Sequence, residues 1–272
     1  GYPELKKFSH LVGNWGGAWH KQKEEFENFP GAILATTNCV LIPKDSYSDR
    51  LFTCSVAGIR GVKHIRGLDF SPLIDKAISL PKLTNKEGRH ILAGFHHSKI
   101  LELSHKIISL IKDGRLRHIF LVGGCDTPGK RGDYYRRFAQ IIPQDCLIVT
   151  LACGKYRFND LDFGDIDGIP RLIDLGQCNN AYSAIVIVKS LSEALSIDIN
   201  NLPVSLVLTW FEQKAVAILF SLLSLNIKGI YLGPLSPEFI SKGIFNVLKD
   251  KFNIKLISTP ESDIKTILNG KR

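Results

Sequence analysis

The sequence predicts an α/β protein: two Rossmann-like, doubly wound domains with mostly parallel sheets, the first of them incomplete. Three observations carry this. From residue 98 onward, short apolar runs of strand type alternate with helical stretches of about 10–15 residues, the pattern of a parallel sheet covered on both faces. The runs end in short polar or glycine-containing turns such as Gly123-Gly124-Cys125-Asp126 and Ala152-Cys153-Gly154. At 272 residues, 44% hydrophobic and 22% charged, the chain can bury a sizeable core, and disorder, collagen and coiled coil are excluded.

In chain order, residues 30–42 read as a buried strand that breaks at the polar turn Thr36-Thr37-Asn38, and 43–67 as loops and short strands. Residues 72–80 read as a short helix, and His90–Phe95 as a strand. Residues 98–113 have apolar positions at helical spacing, with Gly114 as C-cap. The regular alternation then begins. Strands are expected at His118–Val122, Leu147–Leu151, 171–174, Val204–Trp210, Gly229–Leu232 and finally Ile254–Ile257. Helices are expected at 131–142, 181–195, 214–226 and 237–251. The expected division is a partial α/β domain at 1–97, carrying Cys39, and a Rossmann-like domain at 98–272. No G-x-G-x-x-G follows a strand, so a dinucleotide is not indicated.

The net charge of +9 is spread along the chain with no dense Lys/Arg run, which reads as a solvated basic surface and not as a nucleic-acid interface. No apolar run reaches the length of a membrane span, and residues 1–8 are neither a signal nor a transit peptide, so a cytoplasmic protein without membrane or nucleic-acid partners is expected. The chain contains no Met and opens in mid-phrase at Gly1-Tyr2-Pro3; a fragment is expected.

Six cysteines stand at 39, 54, 125, 146, 153 and 178, with no C-x-x-C pair, so any shared metal must be gripped from separate loops. A single such cysteine is ordinarily a small buried hydrophobe. Here Cys39, Cys125, Cys153, Cys178 and Glu212 each follow a predicted strand, on the edge where open α/β sheets bind ligands. Cys146 precedes its strand, and Cys54 is ambiguous. Four thiolates and a carboxylate form a mixed soft and hard donor set, which suits iron with sulfide and oxygen bridges. Lys214 lies two residues past Glu212, either as a solvated lysine at a helix start or as a proton donor beside an anionic centre. His96 and His97 follow a predicted strand and are the candidate histidines of the site.

At these residues the sequence resembles the hybrid-cluster proteins, also called hydroxylamine reductases or prismane proteins. The matching phrases are LVGNWGGAW (11–19), FPGAILATTNC (29–39), GGCD (123–126), ACGKYRFN (152–159), GDIDGIPRLIDLGQCNNAYSAI (164–185), WFEQKAVAIL (210–219) and KGIYLGP (228–234). The long spacings, 28 residues from Cys125 to Cys153 and 25 from Cys153 to Cys178, fit that family. The resemblance implies a four-iron hybrid iron–sulfur–oxygen cluster held by Cys39, Cys125, Cys153, Cys178 and Glu212, with Lys214 at or beside it. It implies a persulfide at Cys125 in the oxidised form. The implied activity is reduction of hydroxylamine, or a related nitrogen oxide such as nitric oxide, with electrons from a redox protein. The catalytic groups would be Cys125, Glu212 and Lys214.

The resemblance implies an N-terminal helical domain, with four cysteines for a separate [4Fe-4S] or [2Fe-2S] cluster, which is expected ahead of residue 1. One histidine and one glutamate ligand, from a THGEMLPAH-like phrase, would fall just before residue 1. Two alternatives follow: a truncated, metal-free α/β interaction protein, and a carbon monoxide dehydrogenase-like enzyme, disfavoured by the GQCN, EQKA and GKYRFN phrases. A nucleic-acid binder has only net charge behind it.

Overall fold

The structure is a computed structural model. It describes residues 4, 7–11, 16–84, 91–126, 132–210, 212–234 and 240–270. The opening Gly1-Tyr2-Pro3, residues 12–15 of the first family phrase, His90 and Phe211 lie outside the described residues, as do the first residue of the helix expected at 131–142 and residues 237–239 of the helix expected at 237–251. Contacts divide the chain into two units, Asn14–His90 and Gly1–Gly13 with Ile91–Arg272. The division falls between 90 and 91, against the expected 97 and 98.

The smaller unit runs α1 (Gln22–Asn28), β1 (Ile33–Ala35), α2 (Asp45–Ser48), β2 (Leu51–Cys54), β3 (Lys63–Ile65) and α3 (Ser71–Ser79). Its three strands pair in parallel in the order β1-β2-β3, with Ile33 opposite Leu51 and Phe52 opposite Lys63. Strand alternation sends Ile33 and Leu51, joined by Tyr47 of α2, into one small core and Phe52, Cys54 and Ile65 into another. Arg50 is buried, and its guanidinium donates to the carbonyls of Phe26, Glu27, Phe29 and Gly31, which ties the end of α1 to the sheet. The strand expected over 30–42 is only three residues long. Thr36-Thr37-Asn38 ends it as a turn, so Cys39 stands four residues beyond the strand.

The larger unit runs α4 (His97–Glu102), α5 (Ser104–Lys112), β4 (His118–Gly124), α6 (Asp133–Gln140), β5 (Cys146–Thr150), a two-residue antiparallel pair β6 (Asp165–Ile166) and β7 (Ile169–Pro170), and β8 (Leu172–Asp174). It continues with α7 (Ala181–Leu195), β9 (Val204–Thr209), α8 (Gln213–Ser224), β10 (Tyr231–Gly233), α9 (Lys242–Phe252), β11 (Lys255–Leu256) and α10 (Pro260–Gly270). Six strands form one parallel sheet in the order β8-β5-β4-β9-β10-β11. Numbered along the chain within this sheet, that is 3-2-1-4-5-6, the doubly wound order. The order reverses between β4 and β9.

Central β4 is apolar because both faces are covered. Phe120 and Val122 pack against Tyr135 and Phe138 of α6 and Ile264 and Ile267 of α10. Ile119 and Leu121 pack under α4, α5 and α7. Leu219, Leu222 and Leu248 of α8 and α9 continue that second layer over Leu232. Gly114, at φ +70°, ends α5: Arg115 N–H bonds Leu110 O at 2.9 Å and Gly114 N–H bonds Ile111 O at 3.1 Å, a Schellman closure that matches the expected cap.

Other expectations shift. The helix expected over 98–113 is broken at Leu103 into α4 and α5. Ile91–Phe95 is not a strand: Ile91 and Leu92 are exposed, and the segment makes a single bond to the sheet, Phe95 N–H to Asp174 O at 2.7 Å. The helix expected from 237 starts at Lys242, where Ser241 accepts from Ile244 N–H as its N-cap. Helix α10 was not expected. It buries Ile264 and Ile267 on the face that α6 alone would leave partly open.

Candidate metal centre

The four site segments of the larger unit follow four adjacent strands. Cys125 follows β4, Cys153 comes after β5, Cys178 after β8, and Glu212 after β9. All four therefore lie on the carboxyl edge, around the point where the strand order reverses.

Glycine sets the approach at the centre. Gly124 has φ +117°, and a Cβ there would lie 1.9 Å from Thr209 O, so only glycine lets β4 and β9 close on each other beside Cys125. Cys125 N–H donates to Thr209 O at 3.2 Å. Gly154 also packs closely from the next turn, its Cβ position 3.2 Å from Cys125 O and Gly124 O. Ala152, just before Cys153, takes φ +65°, a conformation a residue with a Cβ rarely adopts; its N–H is held by Gly176 O at 2.8 Å.

Two ion pairs join the three cysteine turns. Lys155 is 2% exposed, and its Nζ meets both oxygens of Asp174, at 3.0 and 2.8 Å, and Gly176 O at 3.2 Å. Asp174 also accepts from Gly176 N–H at 2.7 Å. Arg157 Nε donates to buried Asp126, the residue after Cys125, at 2.5 Å. The turn Cys153–Arg157 is thus tied to the Cys125 turn on one side and to the Cys178 turn on the other. Charged residues two and four places beyond Cys153, facing Asp174 at a strand end and Asp126 after a cysteine, were the available sequence signal, and sequence reasoning passed over them.

Glu212 is the N-cap of α8, accepting from Lys214 N–H at 2.9 Å; Lys214 Nζ lies 3.4 Å from the same oxygen, Oε2. Both contacts fall on Oε2 and leave Oε1 outside them. His96 caps α4, accepting from Ser98 N–H at 3.3 Å. His97 Nδ1 meets Ser183 Oγ in the first turn of α7 at 3.1 Å, and desolvation, followed by the neighbouring His96, holds its pKa below the ordinary imidazole value. The Gly94–His97 stretch runs beside the Cys178 turn: Phe95 bonds Asp174, and Gly94 Cα lies 3.6 Å from the Cβ position of Gly176.

Cys39 belongs to the smaller unit. Its carbonyl accepts from Trp19 Nε1 at 2.7 Å and Gln22 Nε2 at 3.3 Å, and its N–H donates to Thr37 Oγ1 at 3.3 Å. Cys39, Cys125, Cys153 and Cys178 are all partly exposed, whereas Cys54 and Cys146 are buried. Cys146 begins β5, on the opposite edge from Cys153; burial and Asp145 push its thiol up to about 12.

Among the described residues, no three His, Cys, Asp or Glu side chains converge on the position of one metal ion. A mononuclear site needs its donors within about 2.0–2.6 Å of a single point. A multi-iron cluster needs one or two protein donors per iron, set apart around its rim. Within the larger unit, three partly exposed cysteines and one carboxylate carried on four separate turns are donors of the kind the second case takes. No helix of the described residues is long and apolar enough to cross a membrane.

The sequence profile of the Prismane/CO dehydrogenase family matches residues 1–265. The chain is 58% identical over 267 residues to the hydroxylamine reductase of Moorella thermoacetica, covering 98% of this chain and 62% of that protein. It is 54% identical over 269 residues to that of Thermodesulfovibrio yellowstonii, covering 98% and 50%. The chain therefore spans about half to two-thirds of the length of these relatives. Two solved structures share the fold: carbon monoxide dehydrogenase IV of Carboxydothermus hydrogenoformans, with TM-score 0.74 and 15% identity over 93% of this chain and 50% of that one, and the Ni-free enzyme of Thermococcus sp. AM4, with TM-score 0.72 and 19% identity over 93% and 48%. Phrase by phrase and strand by strand, the chain belongs to the Prismane/CO dehydrogenase family.

Proposed function

We propose that this chain supplies most of the protein ligands of a four-iron hybrid iron–sulfur–oxygen cluster, and that the protein carrying it reduces hydroxylamine. Two electrons and two protons convert hydroxylamine to ammonia and water, with the electrons delivered by a redox protein through a separate cluster outside this chain. The observation that carries the reading is that three partly exposed cysteines and one capping glutamate follow the carboxyl ends of four adjacent strands. The relatives that match the chain at 52–58% identity bear the name hydroxylamine reductase, whereas the carbon monoxide dehydrogenases are similar in fold alone.

Cys39, Cys125, Cys153, Cys178 and Glu212 are the proposed ligands, with Cys125 as the thiol that carries a persulfide. When bound, the cluster would supply Lewis-acid iron and stored electrons. The chain does the rest. Helix α8 fixes the orientation of Glu212 through the cap, in which its Oε2 accepts from Lys214 N–H. The Lys214 ammonium, 3.4 Å from Glu212 and 42% exposed, can exchange protons with water and deliver one to the departing hydroxide. The proposed setting is cytoplasmic, and nitric oxide is the related candidate substrate.

The test is Cys153→Ser in the complete gene product that contains this chain, reconstituted with iron and sulfide. Loss of cluster iron and of its paramagnetic signal is expected. Full retention of both overturns the ligand assignment. Lys214→Met is expected to keep the iron and to lower kcat for hydroxylamine by about 10²-fold.

A further inference from the structure

We propose that Lys155 and Arg157 are positioning residues: the five-residue turn Cys153–Arg157 clamps the Cys125 turn with one and the Cys178 turn with the other, so the three thiols hold their relative places before any cluster arrives. The proposal rests on the reading of these cysteines as ligands only for its purpose; the clamp itself is visible in the protein alone.

The geometry carries it. Lys155 places all three ammonium protons, two on Asp174 and one on Gly176 O, and Asp174 and Gly176 lie four and two residues before Cys178. Arg157 binds the residue after Cys125. The clamping turn is fixed in its own right: Arg136, anchored on Asp160 at 2.6 and 3.0 Å, donates to Arg157 O at 2.7 Å.

Two arguments separate positioning from other roles. Replacing a buried ion pair by packed apolar groups is often neutral or stabilising, so stability alone gives no reason to bury Lys155 on Asp174 in the core of the edge; what a buried pair adds is a defined register. Each cation also reaches a carboxylate that belongs to a neighbouring cysteine turn, Asp174 before Cys178 and Asp126 after Cys125, so each pair bears on where those turns stand.

Gly132 gives access to the clamp without touching its charges. Its φ of −72° suits any residue, but a Cβ there would lie 2.5 Å from Cζ and 2.6 Å from Nε of Arg157. Gly132→Ala is thus compatible with the backbone and must displace the guanidinium from Asp126.

The experiment is residue-resolved alkylation of the chain by iodoacetamide, read by mass spectrometry, with Cys54 and Cys146 as buried internal controls and thermal unfolding recorded in parallel. Arg157→Gln and Gly132→Ala should raise the Cys125 rate by about fivefold or more, through local opening, and leave Cys178 unchanged. Arg157→Lys should restore much of the protection. Lys155→Met combined with Asp174→Leu, which leaves no buried charge unpaired, should raise Cys178 and leave Cys125 unchanged. Unchanged rates in folded variants overturn the proposal. So does a rise shared by all six cysteines, because the pairs would then support the whole fold and not the individual turns. Iron content is measured separately on the reconstituted complete gene product that contains this chain: a protein that binds no iron but keeps the selective alkylation pattern sinks the cluster reading and leaves the clamp standing.

Discussion

The unit at 14–90 and the unit at 91–272 both build parallel sheets, yet they hold their cysteine turns in different ways. In the smaller unit the Cys39 turn is held by neutral hydrogen bonds, from Trp19 and Gln22 to the Cys39 carbonyl and from the Cys39 N–H to Thr37. The unit's ion pairs, Lys44 with Glu27 and Lys76 with Asp49, are at the surface. In the larger unit the Cys125, Cys153 and Cys178 turns are tied by ion pairs whose carboxylates are almost wholly buried. The units share one device: a buried arginine that donates to backbone carbonyls, Arg50 in the first, and in the second Arg171, which binds the carbonyls of Ile142, Pro143, Cys146 and Phe163. The comparison teaches that buried charge serves two ends. An arginine on carbonyls closes loose chain ends and satisfies them. A salt bridge between turns sets the spacing of what those turns carry.

The largest expected effect tests the salt bridge. Lys155→Met leaves the Asp174 carboxylate buried and unpaired and should cost about 3–5 kcal/mol in urea unfolding, whereas Lys44→Met should leave the midpoint unchanged. Equal effects would erase the contrast between the units.

Next is the pinch between β4 and β9. Gly124→Ala meets both a positive φ and the Thr209 carbonyl and should cost about 3 kcal/mol. Gly61→Ala in the smaller unit has φ +84° but open space, and should cost about 1–2 kcal/mol.

The arginine parallel predicts similar losses in both units: Arg50→Met and Arg171→Met should each lower stability by about 1–3 kcal/mol through stranded carbonyls. A large disparity would show that the shared device has different weight in the two.

The remaining contrast is with pH. The Cys146 thiol titrates near 9 when unfolded and is pushed up to about 12 by burial and by Asp145. Below 9 both states keep the proton and the thiol contributes no slope. Between 9 and 12 the unfolded state ionises while the folded state does not, so folding weakens as pH rises. Wild type should lose stability across that window faster than Cys146→Ala, measured by denaturant midpoints at each pH.

Much of this was legible in the residues. Helix α7 falls at 181–195 as expected, because its apolar spacing is unbroken and 3-10 turn and capping residues bound it. The strands of the larger unit appear within a few residues of their expected positions, because a central parallel strand is apolar on both faces. The carboxyl-edge positions of Cys125, Cys153, Cys178 and Glu212 follow from those strands alone. Legibility ended where tertiary contacts overrode local pattern. Ile91–Phe95 looks like a strand and is not one, since only Phe95 reaches the sheet. Helix α10 was missed, although Pro260 opens it and Ile264 and Ile267 share its buried face. Cys39 stands beyond its strand because two threonines and an asparagine favour a turn over extension.

The sequence by itself determined the alternation of strands and helices, the edge on which the cysteines lie, and the family phrases, because periodicity and turn chemistry are local. Only the tertiary structure decided that β4 and β9 are neighbours across the reversal of strand order, that Lys155 meets Asp174 and that Arg157 meets Asp126. Those pairings join residues far apart along the chain, and the choice among possible partners is made when the sheet assembles and removes their charges from water.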